Sequence, residues 1–407
     1  MPLMMPVSLI RVNAQGVAAL STWLTMRHQI FDPSALTRSV PRYTSYPSAP
    51  HFSKEVDGET YRRWLGELDA AARLSLYLHI PFCDTLCWFC ACRTQGSQSR
   101  APVERYLGFL KAEIDLVADL AGRDRAVTQM HWGGGSPTIL MPEEILDLAS
   151  HVRAAFPGVA DAAFDVEIDP RDMTPERFEA LGKAGLSRAS VGVQDFDERV
   201  QAAIGRAQGE TLTRDVLTGL RRIGVDSINV DLVYGLPHQT EETLARTIAS
   251  VIDLAPERLA LFGYAHVPWM AKRQKLIDEE TLPGPAARKA QATLAREMLV
   301  TAGYRPIGID HFAKPSDSLA KAAEAGTLRR NFQGYTTDPA EALIPFGASA
   351  IGWLPQGYIQ NDPATAVYQA KIETGQLAIA KGIALGLDDR VRAEAIEQVL
   401  CHFQLDP

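Results

Sequence analysis

The chain has 407 residues, with 41 Lys and Arg against 49 Asp and Glu, a formal charge of −8. Its 46% hydrophobic and 22% charged content excludes disordered, collagenous and coiled-coil classes and suits either two or three domains or one α/β barrel with appendages. The acidic balance argues against a dedicated nucleic-acid surface. No uninterrupted apolar stretch approaches the roughly 18 residues of a membrane span, so a cytoplasmic protein without a span is expected. The first 31 residues hold Arg11 and Arg27 but no acid. They lack the basic opening of a signal peptide, and a start at Met26 accounts for them equally well.

From about residue 74, apolar β-type runs alternate with segments of helical period. Strands are expected at 74–80, 127–132, 163–168, 188–193, 227–233, 258–264 and 306–309. Between the first two, Val103, Tyr106, Leu107, Leu110, Ile114, Val117 and Leu120 recur at the three-and-four spacing of one helix face. After the second, Pro142 opens a helix whose stripe is Ile145, Leu148, Ala149, Val152 and Phe156. Thr174 before Pro175 marks another start. Repeated strand–helix units call for a parallel sheet covered by helices. The unusual residues cluster at or just past the C-terminal ends of these strands, the face on which barrels build active sites, so a partial barrel is favoured over an open doubly wound sheet. The segments before 74 and after about 314 read as appendages.

Four of the five cysteines, Cys83, Cys87, Cys90 and Cys92, fall within ten residues. Such crowding in a reducing compartment indicates metal or redox chemistry. A bare Cys87-x-x-Cys90 would suit a redox pair or half a zinc site. Adding Cys83 gives C-x-x-x-C-x-x-C on one loop, and three thiolates so spaced can hold three irons of a cubane cluster while leaving the fourth open. A four-cysteine zinc site is the competing arrangement, though zinc sites usually split their ligands into two separated pairs. Cys401, alone in an apolar stretch, reads as a core residue. Phosphate-loop and H-E-x-x-H signatures are absent, and Gly347 to Ile351 misses the G-x-S-x-G pattern at its last position.

These residues, with the segments Pro41 to Pro47 (PRYTSYP), His131 to Thr138 (HWGGGSPT), Glu167 to Arg171 (EIDPR), Gly192 to Phe196 (GVQDF), Asp231 to Pro237 (DLVYGLP), Tyr264 to His266, Asp310 to Phe312 and Arg330 to Thr337 (RNFQGYTT), resemble in order the oxygen-independent coproporphyrinogen III oxidase (dehydrogenase) family of the radical S-adenosylmethionine superfamily. The resemblance runs from about residue 40 to the end. It implies an α/β fold: a partial (β/α)6-type barrel at 58–314, an N-terminal extension at 1–57 and a C-terminal helical region at 315–407, shorter than the family's.

The resemblance further implies one 4Fe-4S cluster on Cys83, Cys87 and Cys90, with Cys92 kept but not a ligand, and two molecules of S-adenosylmethionine. Tyr77, Gly134, Glu167 and Ile351 match positions for the first molecule. Phe89, Gly135, Ser136, Gln194, Arg206, Asp231 and Ala265 match positions for the second. No further catalytic residue is assigned. The implied reaction is oxidative decarboxylation of coproporphyrinogen III to protoporphyrinogen IX in porphyrin biosynthesis, drawing on an electron donor and acceptor that the sequence does not identify. Arg42, Arg329 and Arg330 are candidate contacts for the substrate's carboxylates, or else solvated surface charges. A monomer is expected. The alternatives are a heme chaperone, or a catalytically silent iron-sulfur or tetrapyrrole-binding protein of the same superfamily.

Overall fold

Period-two alternation along a set of parallel strands is what shapes this molecule. A computed structural model describes residues 45–97 and 99–404; Arg42, Met26 and most of the 1–57 extension lie outside the described residues. Twelve strands form one sheet: β1 (Leu74–Ile80), β2 (Val127–Gly134), β3 (Ala163–Ile168), β4 (Arg188–Gln194), β5 (Ser227–Tyr234), β6 (Arg258–Gly263), β7 (Arg305–Ile307), β8 (His311–Ala313), β9 (Ala342–Phe346), β10 (Ile351–Leu354), β11 (Gly357–Asn361) and β12 (Ile379–Ala384). Their order is β12-β11-β10-β9-β1-β2-β3-β4-β5-β6-β8-β7. Strands β1 to β6 run parallel in sequence order, the six expected of the partial barrel. The run at 306–309 is shorter than expected and pairs antiparallel with β8, which itself lies antiparallel on β6.

On the other side the sheet continues past β1. Strand β9 pairs with it in parallel, Leu76 opposite Ile344, and β10 to β12 follow antiparallel. The stretch after 314 therefore contributes four strands to the sheet as well as the helices α9 (Ser318–Glu324), α10 (Thr365–Glu373) and α11 (Leu387–His402).

The outer face of the parallel strands is covered by helices α2 (Ala101–Ala121), α3 (Pro142–Ala155), α4 (Pro175–Lys183), α6 (Glu210–Arg222), α7 (Glu241–Leu254) and α8 (Pro285–Thr301); α1 (Gly58–Gly66) and the short α5 (Glu198–Ala203) complete the set. The stripe read on α2 is buried at six of its seven positions, and Leu120 is partly buried. That on α3 is buried throughout. Thr174 caps α4 by accepting from the Arg177 N–H at 3.3 Å, leaving Pro175 where its missing N–H costs nothing.

Strand β4 alternates buried Ala189, Val191 and Val193 with partly exposed Arg188, Ser190, Gly192 and Gln194. The apolar set packs under the helices, and the other set faces the concave side. A barrel interior is ordinarily filled by branched apolar side chains. Here it is polar: Gln129, His131, Asp165, Arg188, Asn229 and His311 line one inner cavity.

A carboxyl group sits inside the helix–sheet core. Glu113 of α2 accepts from the Gly347 N–H (2.6 Å), the Tyr368 hydroxyl (2.8 Å) and the Asn361 amide (2.7 Å), tying together α2, the β9–β10 turn, the end of β11 and α10. Burial pushes its carboxyl up to about 7. The folded value thus lies above the unfolded one, so the folded chain holds this proton longer and stability falls as pH rises through the interval between them. Glu113→Gln should flatten the slope of stability against pH between about 4.5 and about 7, measured by urea unfolding; superimposable wild-type and variant slopes would contradict this.

Candidate active site

The cysteine loop leaves β1 through Pro81 and is fastened at both ends. Phe82–Cys83 pairs with Gln95–Gly96, the Gln95 N–H donates to the Pro81 carbonyl (2.8 Å) and the Trp88 N–H to the Ile204 carbonyl (2.8 Å). All four thiols are free; Cys87 is buried, Cys83 and Cys90 partly buried, and Cys92 exposed. Hydrogen bonding with Cys92, with Arg273 and Arg206 nearby, holds the Cys90 thiol down to about 6, whereas burial pushes Cys83 up to about 12. From the β6 side, Arg273 donates to Thr94 Oγ1 (2.8 Å), and Gln274 Nε2 bridges the carbonyls of Phe89 (2.7 Å) and Ala265 (3.1 Å).

Beside the loop runs the glycine end of β2. There the protein's own atoms leave no room for a side chain. A Cβ on Gly133 would lie 2.6 Å from Glu167 Oε1, one on Gly134 2.5 Å from the His79 ring, and one on Gly135 2.4 Å from the Phe82 carbonyl oxygen. Gly134 also has φ of +110°, open to glycine at little cost. The Gly134 N–H donates to Glu167 Oε2 (3.1 Å), and His131 Nε2 stands 3.3 Å from Oε1. Burial works to raise the Glu167 carboxyl, but His131 and the Gly134 amide outweigh it and hold it below its ordinary value. Tyr77 stacks on His131 with ring centroids 5.6 Å apart and meets His79 Nδ1 at 3.0 Å.

Strand β4 ends in an irregularity between Gly192 and Gln194, and Gln194 takes a left-handed φ of 72°, a strained backbone for a non-glycine residue. Asp231 accepts from Ser190 (3.1 Å) and Asn229 (2.7 Å); burial, with Glu167 adding like charge, raises its carboxyl. Ser136 donates to Asp172, whose carboxyl burial pushes up to about 6. Arg206, 6% exposed, donates to the Gly192 carbonyl (2.7 Å) and to Asp169 (3.1 Å), and its Nε has no hydrogen-bond partner among the described residues.

Cys83, Cys87, Cys90, Phe89, Gly134, Gly135, Ser136, Glu167, Gln194, Arg206 and Asp231 line one open cleft of about 940 Å³. Tyr77 is not among the cleft's lining residues; it stacks on His131, which in turn meets the Glu167 carboxylate. Ala265 is tied to the loop through Gln274, whose side chain also donates to the Phe89 carbonyl. Ile351, at the start of β10, is not among the cleft's lining residues. Asp169 and Arg273, not singled out from sequence, also line the cleft; their position in EIDPR and after Tyr264 to His266 was the available signal. Arg329 and Arg330 lie on a separate ribbon (Arg329–Asn331 with Gly334–Thr336) and line a second cavity. Arg330 stacks on Tyr335 at 4.3 Å and stands 3.7 Å from Asp310.

The glycine packing is testable by substitution. Gly135→Ala must move the Phe82 backbone and should cost on the order of 1–3 kcal/mol, as overpacking does. Gly66→Ala, in the last turn of α1 where nothing lies within 4 Å of the added carbon, should not lower the unfolding midpoint. Equal midpoints for the two variants would refute the packing argument.

Residues 77–251 match the radical SAM superfamily. The chain is 52% identical over 367 residues, 90% of this chain and 81% of the relative, to an oxygen-independent coproporphyrinogen III oxidase of Cereibacter sphaeroides. It is 41% identical, over 90% of this chain and 80% of the relative, to the Escherichia coli protein of the same name. The solved structure of coproporphyrinogen III oxidase from Escherichia coli, a radical SAM enzyme, superimposes with a TM-score of 0.87 at 39% identity, covering 92% of this chain and 85% of that one. With its three-thiol loop at the mouth of six parallel strands, the chain belongs to the oxygen-independent coproporphyrinogen III oxidase family of radical SAM enzymes.

Proposed function

We propose that the cleft binds one 4Fe-4S cluster and two molecules of S-adenosylmethionine and catalyses oxidative decarboxylation of coproporphyrinogen III to protoporphyrinogen IX, in heme biosynthesis. The observation that carries this reading is the convergence of Cys83, Cys87 and Cys90 with Glu167, Gln194, Arg206 and Asp231 on one cleft, in a chain half identical to an enzyme of that name. The unpartnered Nε of Arg206 is a buried donor awaiting an acceptor, which fits a carboxylate-bearing cofactor.

When bound, the cluster and cofactor supply the hard chemistry, a carbon radical able to take hydrogen from an unactivated position. The chain's own groups bind and orient. Cys83, Cys87 and Cys90 would hold three irons. Glu167, kept ionised and fixed by Gly134 and His131, offers an acceptor for an ammonium or hydroxyl group. Gln194 and Asp231 do the same from the next two strands of the sheet, β4 and β5. In each half of the reaction a propionate loses one hydrogen atom, carbon dioxide and one electron, so the turnover needs an electron acceptor as well as a donor to the cluster. Residues 58–314 form the cofactor-bearing core in this reading, and 315–407 brings Arg329 and Arg330 as cationic contacts for substrate carboxylates.

The reading is tested anaerobically, with reconstituted, reduced protein, S-adenosylmethionine and coproporphyrinogen III, following products by mass spectrometry. Loss of two carboxyl groups with matching 5′-deoxyadenosine is expected; neither product would sink the proposal. Replacing Cys83, Cys87 or Cys90 by Ala should abolish iron uptake, whereas Cys92→Ala should retain iron and lose activity. Iron loss from Cys92→Ala alone would show that the three-ligand assignment is wrong.

A further inference from the structure

Two guanidinium groups reach the same sulfur. Arg206 Nη1 lies 3.3 Å, and Arg171 Nη2 3.5 Å, from Cys87 Sγ. Both are pinned by one carboxylate: Arg171 donates through Nε to Asp169 Oδ1 (2.9 Å) and through Nη2 to Oδ2 (2.6 Å), and Arg206 Nη1 donates to the same Oδ2 (3.1 Å). Asp169 Oδ1 also accepts the Arg171 backbone N–H (3.1 Å), so this arginine is fixed at both its backbone and its head. The assembly is sheltered, with side-chain exposures of 8% for Arg206, 14% for Asp169 and 18% for Arg171. Cys90, by contrast, accepts from the backbone N–H of Cys92 (3.4 Å).

Hydrogen bonds to cysteine sulfur and nearby net charge are the protein's main levers on an iron-sulfur potential. Adding one electron to the cluster makes its sulfurs more negative, and an N–H donor or a fixed cation stabilises that reduced state more than the oxidised one. Two cations and one anion leave a net positive charge beside Cys87, in partly dehydrated surroundings where its field is little screened. We propose that Arg171, with Arg206 and held by Asp169, raises the reduction potential of the cluster, Asp169 being the counter-charge that limits the rise. This rests on the reading that Cys87 is a cluster ligand. Arg171 is a positioning and tuning residue rather than a catalytic one: unlike Arg206, it is not among the residues lining the cleft, so its replacement separates tuning from cofactor binding.

The test is a redox titration of the reconstituted holoenzyme with dithionite as the one-electron reductant, following the paramagnetic reduced cluster by electron paramagnetic resonance and measuring iron per chain. At the potential where the wild-type cluster is half reduced, Arg171→Gln should lower the reduced-to-oxidised ratio about tenfold, equivalent to about 59 mV for one electron. Arg171→Lys should fall between, and Asp169→Asn should move the ratio the opposite way. Unshifted potentials at full iron content in Arg171→Gln and Asp169→Asn, or shifts of the same sign, would overturn the proposal. If Arg171→Gln fails to take up iron, the other two variants decide. Loss of iron from all three would make the group a cluster-retaining scaffold and overturn the tuning role. A wild-type chain that takes up no iron would instead overturn the ligand reading beneath it.

Discussion

The structure depends on two backbone hydrogen bonds between the end of β1 and the end of β2: the Gly135 N–H to the Ile80 carbonyl, and the Ser136 N–H to the Phe82 carbonyl, both 2.8 Å. They continue the parallel pairing of these strands into the loop that carries the cysteines. So close an approach leaves no room for a side chain at Gly135, where a Cβ would meet the Phe82 carbonyl. It also brings the Gly134 amide within reach of Glu167 on the next strand. The cysteine loop, the glycine strand and the first acidic side chain are thereby set by one seam of main-chain bonds, which is stiffer than any arrangement of side chains alone.

The second constraint is the polar lining of the concave face. Burying charged and polar groups is costly unless each is paired, and the inner face pairs them closely: Arg258 with Asp317 at 2.7 Å, Arg188 with Asp165 at 3.3 Å, and His311 Nδ1 in a hydrogen bond with Asp310 at 2.6 Å. Apolar stability is carried on the other face, where the helices cover β1 to β6 in one continuous core. This division leaves the interior free to hold ligands, since its rigidity does not rely on filling the barrel with side chains.

The six parallel strands and the helix stripes were legible because they are local patterns: a period of two followed by a period near 3.6. Strand β9 was not, although all five of its residues are buried. It is short, contains Pro345, and its partner β1 lies more than 260 residues away, so nothing nearby in sequence signals the pairing. The cysteine spacing is likewise a local pattern, which narrows the chemistry to a metal, cluster or redox site, whereas the packing of the glycines is not local, because the atoms that exclude a Cβ come from His79, Phe82 and Glu167 in three-dimensional space. The convergence of Asp169, Arg171 and Arg206 on Cys87 joins residues from three separate loops and was equally invisible. Ile351 was assigned by resemblance to the site, and it stands apart from the cleft's lining.

The central claim is that this seam presents three thiols to a cluster whose remaining iron is free to take S-adenosylmethionine. Mössbauer spectroscopy of the reconstituted, isotopically enriched protein, before and after addition of S-adenosylmethionine, addresses it most directly. The account predicts that the cofactor shifts the signal of a single iron and leaves the others in place. A cluster whose irons are all unaffected by the cofactor would contradict it.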